Sequence, residues 1–155
     1  MKETLFTKIA NGTIKSYIWH QNEKYMAFLT PFPNTKGVTV VAPKMYMPSY
    51  VFSLDENVYI DFLRYVKIVA NILDMKLGVA RTSLIFEGTG IDHLHAKLYP
   101  LHGPKASQTD VWADHVVYFN EYPGYVSTVE GPKANDFELE SLCTLLRVCP
   151  PHDMA

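Results

Sequence analysis

Three histidines cluster near the middle of the chain, and two of them are separated by one residue. The stretch GIDHLHAKLYPLHG, residues 90–103, holds three of the six histidines, with His93 and His95 on either side of a leucine. Side chains alternate between the two faces of a strand, so His93, His95 and Lys97 share one face and apolar residues occupy the other. The spacing predicts a strand over 92–100 with one face packed and the other available for chemistry.

Two simple roles are open to this polar face. The first is contact with solvent, which is common for histidine. The second is a metal site, because two histidines at i and i+2 on a strand can both bind one zinc ion. The candidate third ligands are His102, His115, Glu87 and Asp92. None has a diagnostic spacing, and Lys97 is an unfavourable neighbour for a dication, so we expect neither a metal nor another cofactor.

A third role is nucleophilic catalysis at phosphorus. A neutral imidazole attacks the phosphorus and forms a covalent phosphoramidate, which water then cleaves. We predict that His95 is the nucleophile, that His93 orients its ring, and that the Lys97 ammonium stabilises charge on the phosphoryl oxygens. A glycine turn before His93 would let backbone N–H groups approach those oxygens closely. The predicted phosphate-binding turn comprises Gly88, Thr89 and Gly90.

Strand patterns account for most of the first hundred residues. Runs of β-branched and aromatic residues predict strands over 16–20, 24–30, 38–43 and 82–88, besides the one over 92–100. The pair Gln21-Asn22 predicts a hairpin turn between the first two. Strands outnumber helices and mostly follow one another directly, so we expect an α+β fold with an antiparallel sheet of about five strands.

Two helices complete the predicted fold. Ser53 and Glu56 stand at capping-box spacing, and apolar residues then recur at helical intervals until Gly78, which predicts one long central helix. Asn135 and Glu138 have the same spacing and predict a C-terminal helix over 136–148. Segments 115–119 and 124–129 predict two further strands. We expect one domain over 1–155, with a core over about 4–103 and C-terminal strands and helix over 104–148.

Composition and charge limit the functions open to the chain. Its 155 residues are 48% hydrophobic and 19% charged, which is typical of a globular domain. A formal net charge of -2 gives no field that gathers nucleic acid or anionic lipid, so we expect neither partner. We see no membrane span and no signal segment. Cys143 and Cys149 lie in or after the last helix, which favours reduced thiols and a cytoplasmic protein.

The residues around His93 resemble the histidine triad family. The family motif, His-x-His-x-His followed by two apolar residues and often a proline, stands here as HLHAKLYP, residues 93–100, with lysine in the third place. The segments TLFTKIANGTI, YMAFLTPFP and KGVTVVAPK resemble three other family segments in the same order. The resemblance covers about the first hundred residues, and we find no comparable motif from residue 104 onward.

This resemblance implies a fold, a substrate class and a pocket. The family has a compact α+β domain, commonly a homodimer, that binds nucleotides and hydrolyses or transfers nucleotidyl groups through its middle histidine, here His95. The expected ligand is a nucleotide or a molecule similar to a dinucleoside polyphosphate. Apolar walls suit a base, because stacking tolerates many bases. The residues that match the family's nucleoside-binding positions are Phe6, Ile9, Ile14, Phe28 and Thr30.

Several positions depart from the family pattern. Thr4 and Thr7 replace the cysteines that hold zinc in some members, so no structural zinc is expected there. Thr30 stands where the family usually has an aspartate that bonds the ribose hydroxyls, and Val38 replaces an upstream histidine. Lys97 replaces the third histidine, and a lysine there does not indicate whether water or another acceptor takes the nucleotidyl group.

Two functions of different class therefore stay open. The first is a hydrolase or nucleotidyl transferase acting at a phosphoanhydride or phosphoramidate, which the intact His93 and His95 favour. The second is a catalytically diverged nucleotide-binding or interaction domain, which the lost family contacts favour. For the first function His102 is a second acid/base candidate, because it follows Lys97 by only five residues.

Overall fold

Five antiparallel strands form one sheet in the computed structural model, which describes residues 2–147. The strands are β1 (Tyr17–Gln21), β2 (Tyr25–Leu29), β3 (Thr39–Pro43), β4 (Thr82–Ile85) and β5 (Ala96–Pro100), in the order β1-β2-β3-β5-β4. The helices are α1 (Leu5–Ala10), α2 (Glu56–Leu77) and α3 (Asp136–Arg147), with 3-10 turns at Val51–Ser53 and Pro104–Ser107. The predicted α+β fold with a five-stranded sheet, a long central helix and a C-terminal helix is confirmed.

A tight turn at Asn22 joins β1 to β2. The backbone N–H of Asn22 donates to the carbonyl of Tyr25 at 3.0 Å. The Asn22 side-chain oxygen accepts from the backbone N–H groups of Lys24 and Tyr25. Such side-chain-to-backbone bonds are the reason asparagine is favoured in turns. The predicted hairpin turn is confirmed.

Helix α2 covers one face of the sheet. Its buried residues recur every three or four positions: Phe62, Tyr65, Val66, Val69 and Leu73. They pack against sheet and loop residues that include Tyr25, Ala27, Val41, Leu94, Ala96 and Leu98. Each large apolar side chain buried here stabilises the fold by about 1.5–3 kcal/mol. This layer therefore holds β5, and with it the histidine segment, against α2.

The start of α2 differs from the prediction, whereas its end agrees with it. Asp55 caps the helix, with its side chain accepting the backbone N–H of Asn57 at 3.0 Å. Capping by Ser53 is wrong, because Ser53 ends a 3-10 turn and its hydroxyl donates to the carbonyl of Tyr50 at 2.8 Å. Gly78 ends α2 with a φ of 64°, a left-handed conformation that favours glycine.

Helix α1 lies over the opposite face of the sheet. Its Phe6 and Ile9 form a second buried cluster with Met26, Phe28, Val40 and Ala42. Alternation along β2 sends Tyr25 and Ala27 toward α2 and the residues that follow each of them toward α1. We did not predict α1, because six residues are too few for a clear helical period.

The chain divides into two compact units, residues 1–111 and 112–155. In the second unit the strands predicted over 115–119 and 124–129 are wrong, because those residues form bends and irregular chain. One backbone hydrogen bond joins this region, from Val117 N–H to Glu130 at 2.9 Å. A two-stranded hairpin without a covered apolar face is only marginally stable. One domain over 1–155 stays a prediction.

Helix α3 of the second unit is the element that was predicted there correctly. The side chain of Asn135 accepts the backbone N–H of Glu138 at 2.8 Å, as the capping-box spacing predicts. Val148 lies outside the described residues. Cys143 is exposed on α3 and Cys149 lies outside the described residues, so unlinked thiols stay a prediction. Within residues 2–147 no helix has an apolar run long enough to cross a membrane.

Candidate functional site

His93 and His95 lie immediately before β5 and are 0% and 4% exposed. The strand begins at Ala96 rather than at 92 as predicted, because residues 91–93 form a bend and residues 94–95 are irregular. The alternation of side chains nevertheless continues through this bend. Leu94 packs in the α2 cluster, whereas both imidazoles contact the ring of Phe6, with centroids 5.4 and 5.3 Å apart. The two imidazoles are therefore buried under α1.

One hydrogen bond fixes the tautomer of His95. Its Nδ1 lies 2.7 Å from the backbone oxygen of His93, and a carbonyl only accepts, so Nδ1 carries the proton. Within residues 2–147 its Nε2 has no hydrogen-bond partner and is not sealed from solvent. Burial lowers the pKa of His95, and the charge of Lys97 contributes. His95 is therefore neutral at neutral pH, with an accessible lone pair, as a nucleophile requires.

Both ring nitrogens of His93 are occupied. Nε2–H donates to the backbone oxygen of Pro43 at 2.9 Å, so Nδ1 is unprotonated and accepts the hydroxyl proton of Thr4 at 2.7 Å. Burial lowers the pKa of His93, which agrees with a neutral ring. Because neither ring nitrogen of His93 is free, this residue orients His95 through its backbone oxygen.

Thr4 caps α1 and holds His93 at the same time. The backbone N–H of Thr7 donates to the Thr4 hydroxyl oxygen at 3.2 Å, and the N–H of Thr4 donates to the Thr7 hydroxyl oxygen at 2.8 Å, which is a capping box. The start of α1 is thereby coupled to the orientation of an imidazole. We identified these threonines from sequence only as replacements for cysteines. The sequence pattern that indicates this cap is Thr-x-x-Thr ahead of an apolar pair.

Lys97 pairs with Glu87 beside the imidazoles. Its Nζ lies 2.6 Å from Oε2 of Glu87, and the two side chains are 29% and 8% exposed. In the sheet, Lys97 stands between Val40 and Ile85. Because Val40 belongs to the cluster under α1, Lys97 lies on the histidine face, as predicted. The Glu87 carboxylate, which we had considered only as a metal ligand, balances its charge.

The predicted phosphate-binding turn leads from β4 to His93. Gly88 and Gly90 have φ values of 72° and 83°, in the left-handed region where glycine is favoured. A Cβ at Gly88 would come within 3.3 Å of the backbone oxygen of Ser49, so the turn lies close against another part of the backbone. Thr89 between them is exposed. Phosphate binding here stays a prediction.

Four of the five predicted nucleoside-binding residues form one cluster. Phe6, Ile9 and Phe28 are buried, and Ile14 packs against them. The cluster adjoins the catalytic candidates, because the ring of Phe6 contacts both imidazoles. Thr30 is used differently: its hydroxyl accepts the backbone N–H of Phe32 at 3.3 Å and stabilises a local turn.

Known proteins are similar to this chain in sequence and in fold. No family model matches the chain. An uncharacterised HIT-like protein from Methanocaldococcus jannaschii is 29% identical over 101 residues, which are 62% of this chain and 77% of that protein. The crystal structure of a HIT family protein from Bacillus subtilis has a TM-score of 0.61 and 20% identity, covering 96% of this chain and 99% of its own. The fold is that of the histidine triad proteins.

A second solved structure has the same fold. A HIT family hydrolase from Clostridium thermocellum has a TM-score of 0.58 and 24% identity, over 68% of this chain and 97% of its own.

His102 lies at the far end of β5 in this histidine triad fold. Five strand residues, at ~3.3 Å each, separate it from His95. Its Nε2–H donates to the backbone oxygen of Lys36 at 2.8 Å. A proton donor there cannot reach a group bonded to His95 of the same chain. The acid/base prediction for His102 is therefore corrected, since five residues of extended chain carry a side chain away from a site.

The candidate third metal ligands have other partners. Within the described residues no group of three or more His, Cys, Asp or Glu side chains could hold a metal ion. Asp92 pairs with Lys2 at the surface, and His115 bonds Asp114 at 2.9 Å. Thr4 and Thr7, at the positions where the family resemblance places zinc-binding cysteines, form the capping box of α1.

Proposed function

We propose that the chain is a nucleotide-binding hydrolase or nucleotidyl transferase that acts through a covalent nucleotidyl-histidine on His95. One observation carries this proposal: the bond from Nδ1–H to the His93 oxygen leaves Nε2 with a free lone pair. The description of the C. thermocellum protein as a HIT family hydrolase supports the same class. We further propose that lysine at position 97 marks a branch of the family and that the active form is a homodimer.

In the first step, Nε2 of His95 attacks the phosphorus of a phosphoanhydride or phosphoramidate. The N–P bond forms with the Nε2 lone pair, and the bond from phosphorus to the leaving oxygen or nitrogen breaks. The leaving group keeps that electron pair and takes a proton. The ring gains positive charge, which strengthens the bond from Nδ1–H to the His93 oxygen. Lys97 stabilises the phosphoryl oxygens or donates the proton.

In the second step, water attacks the same phosphorus. The N–P bond breaks, its electron pair returns to Nε2, and a nucleoside monophosphate and a proton are released. If another nucleophile takes the place of water, the nucleotidyl group is transferred to it. We propose that the turn of Gly88, Thr89 and Gly90 holds the phosphoryl oxygens through backbone N–H groups during both steps.

The decisive experiment compares wild type with His95→Ala on a panel of adenylyl phosphoramidates and dinucleoside polyphosphates. We expect the substitution to lower nucleotide release by on the order of a thousandfold or more, because it removes the nucleophile. Acid-labile nucleotide label should accumulate on wild type in quenched reactions and be absent from His95→Ala. His115→Ala, an exposed histidine of the second unit, is the matched control and should keep wild-type activity. Full activity in His95→Ala would rule out the covalent mechanism.

A catalytically diverged nucleotide-binding or interaction domain is the second candidate. Two observations favour divergence of the nucleoside-binding residues: the Thr30 hydroxyl is used in a local turn, and Phe6 and Phe28 are only 4% and 3% exposed. The same panel separates the two functions. Nucleotide that binds wild type and His95→Ala equally, with no product from either protein, would support the diverged domain.

Substitutions that remove or keep the charge of Lys97 test its role in the reaction. If it stabilises phosphoryl charge, Lys97→Met should slow turnover of every substrate, and Lys97→Arg should restore part of the rate. If it donates a proton, Lys97→Met should slow substrates with poor leaving groups most. Wild-type rates for every substrate in Lys97→Met would show that the lysine has no part in the reaction.

A further inference from the structure

A second cleft lies at the opposite end of β5 from the two imidazoles. Its volume is about 580 Å³, within the range of about 300–1,000 Å³ that is usual for small-molecule sites. Its walls include Arg81 ahead of β4, Tyr99 in β5, His102 after β5 and Lys105 in the following 3-10 turn. All of them belong to the first compact unit. The reaction proposed above makes no use of this cleft.

The cleft is cationic in a chain that is slightly acidic overall. Arg81, His102 and Lys105 line it, and none of the described lining residues is Asp or Glu. Within residues 2–147, neither the Arg81 guanidinium nor the Lys105 ammonium has an ion pair or a side-chain hydrogen bond. The formal net charge of the chain is -2, so two unpaired cations in one cleft contrast with the charge of the chain as a whole. Unpaired cations in a cleft whose lining residues carry no carboxylate attract an anion.

Hydrogen bonds to backbone oxygens hold the walls of the cleft in place. The N–H of Leu101 donates to the backbone oxygen of Arg81 at 3.0 Å. The Nε2–H of His102 donates to the backbone oxygen of Lys36 at 2.8 Å, which fixes the loop ahead of β3. The N–H of Gln108 bonds the oxygen of Lys105 at 3.1 Å. A ligand meets a formed surface, which lowers the entropy cost of binding.

We propose that this cleft binds a small phosphomonoester. A phosphomonoester carries a charge of about -1.5 to -2 at neutral pH and presents three acceptor oxygens, so it balances both cations. The Arg81 fork can bond two of these oxygens, and Lys105 supplies the second charge. A monocarboxylate would leave one cation unbalanced. Tyr99 and the apolar Pro100 and Leu101 in the wall suit the organic part of the ligand.

The test titrates the full chain with phenyl phosphate and with benzoate, which share a ring and differ in charge. We follow the backbone amide signals of Arg81 and Lys105 by NMR, which reports this cleft separately from the imidazole site. Phenyl phosphate should bind about tenfold more tightly than benzoate, because only the dianion satisfies both cations. Arg81→Gln and Lys105→Gln should each weaken phenyl phosphate binding by about tenfold.

Two controls separate this site from the one at His95. Lys67→Gln removes an exposed lysine of α2 and should leave the affinity unchanged. His95→Ala should also leave it unchanged, whatever that substitution does to catalysis. The inference is wrong if phenyl phosphate does not bind, if benzoate binds as tightly, if the double variant of Arg81 and Lys105 keeps wild-type affinity, or if His95→Ala abolishes the effect.

Discussion

The two compact units of the chain use similar helices in opposite ways. Both α2 and α3 have a capped start and a stripe of apolar residues. The stripe of α2 is buried against the sheet, with Phe62 at 0% exposure, whereas no residue of 112–147 is buried and Phe137 on α3 is 79% exposed. The comparison teaches that a helical period predicts the helix and its apolar face, but not whether that face is buried within its own unit.

The largest expected difference between the units is in core truncation. Phe62→Ala should lower the free energy of unfolding by about 3–5 kcal/mol, because it removes a fully buried ring and leaves a cavity. Phe137→Ala makes the same chemical change on α3 and should cost less than about 0.5 kcal/mol. Urea denaturation of both variants measures the difference. Equal losses would mean that α3 packs against a partner surface in solution.

The next largest expected effect on stability comes from a threonine in the first unit, and a threonine in the second unit serves for comparison. Thr4→Val should cost about 2 kcal/mol, because it removes the α1 cap and leaves Nδ1 of the buried His93 without its donor. Thr144→Val on α3 removes an exposed hydroxyl that bonds the Glu140 oxygen at 2.9 Å, and should change stability by about 0.5 kcal/mol at most. Thr4→Ser should restore most of the loss. If Thr4→Val melts like wild type, α1 does not depend on this contact.

Acid should affect the first unit through its buried imidazoles. Burial lowers the pKa of His93 and His95 below 6.5, so the unfolded chain takes up protons at a higher pH than the folded chain. The free energy of unfolding should therefore be at its full value above about pH 6.5 and fall below it, by up to about 1.4 kcal/mol per pH unit for each ring. Urea denaturation between about pH 7.5 and pH 5.5 measures this slope. His95→Asn should reduce it, and an unchanged slope in that variant would assign it to other groups.

The smallest expected effect is the loss of the second unit. Within residues 2–147 the buried apolar residues run from Phe6 to Pro100, all in the first unit. A chain that ends at residue 111 should therefore unfold within about 1 kcal/mol of the full chain. Its two-dimensional NMR spectrum should retain the amide signals of β1 to β5. A truncated chain that loses these signals would show that residues after 111 support the sheet.

Side-chain patterns predicted the fold where burial and sequence period agree. The helix over α2, the Asn22 turn and the alternation around His93 follow from patterns that tertiary packing reinforces. The predicted strands after residue 104 failed: Tyr118 and Tyr125, which are 72% and 56% exposed, fit a strand by type, but within the described residues they lie outside any strand.

The residue types of the site could be predicted, but the hydrogen-bond and ion-pair partners of these residues could not. Strand alternation placed the two histidines and Lys97 on one face, yet the partners of each depend on long-range contacts that no local spacing encodes. Thr4 is 89 residues from His93, and Glu87 follows β4, the strand that pairs with β5. His102 shows the converse, since closeness in sequence suggested a shared site that extended backbone separates.

A hydroxyl and a backbone carbonyl, from Thr4 and Pro43, hold the His93 ring. Threonine is inert to the oxidants that convert a cysteine thiolate stepwise to sulfenic and sulfonic acids. Neither contact involves an ion that a chelator could remove. The His93 ring should therefore keep its orientation through peroxide or EDTA treatment that would disrupt a ring held by zinc and thiolates.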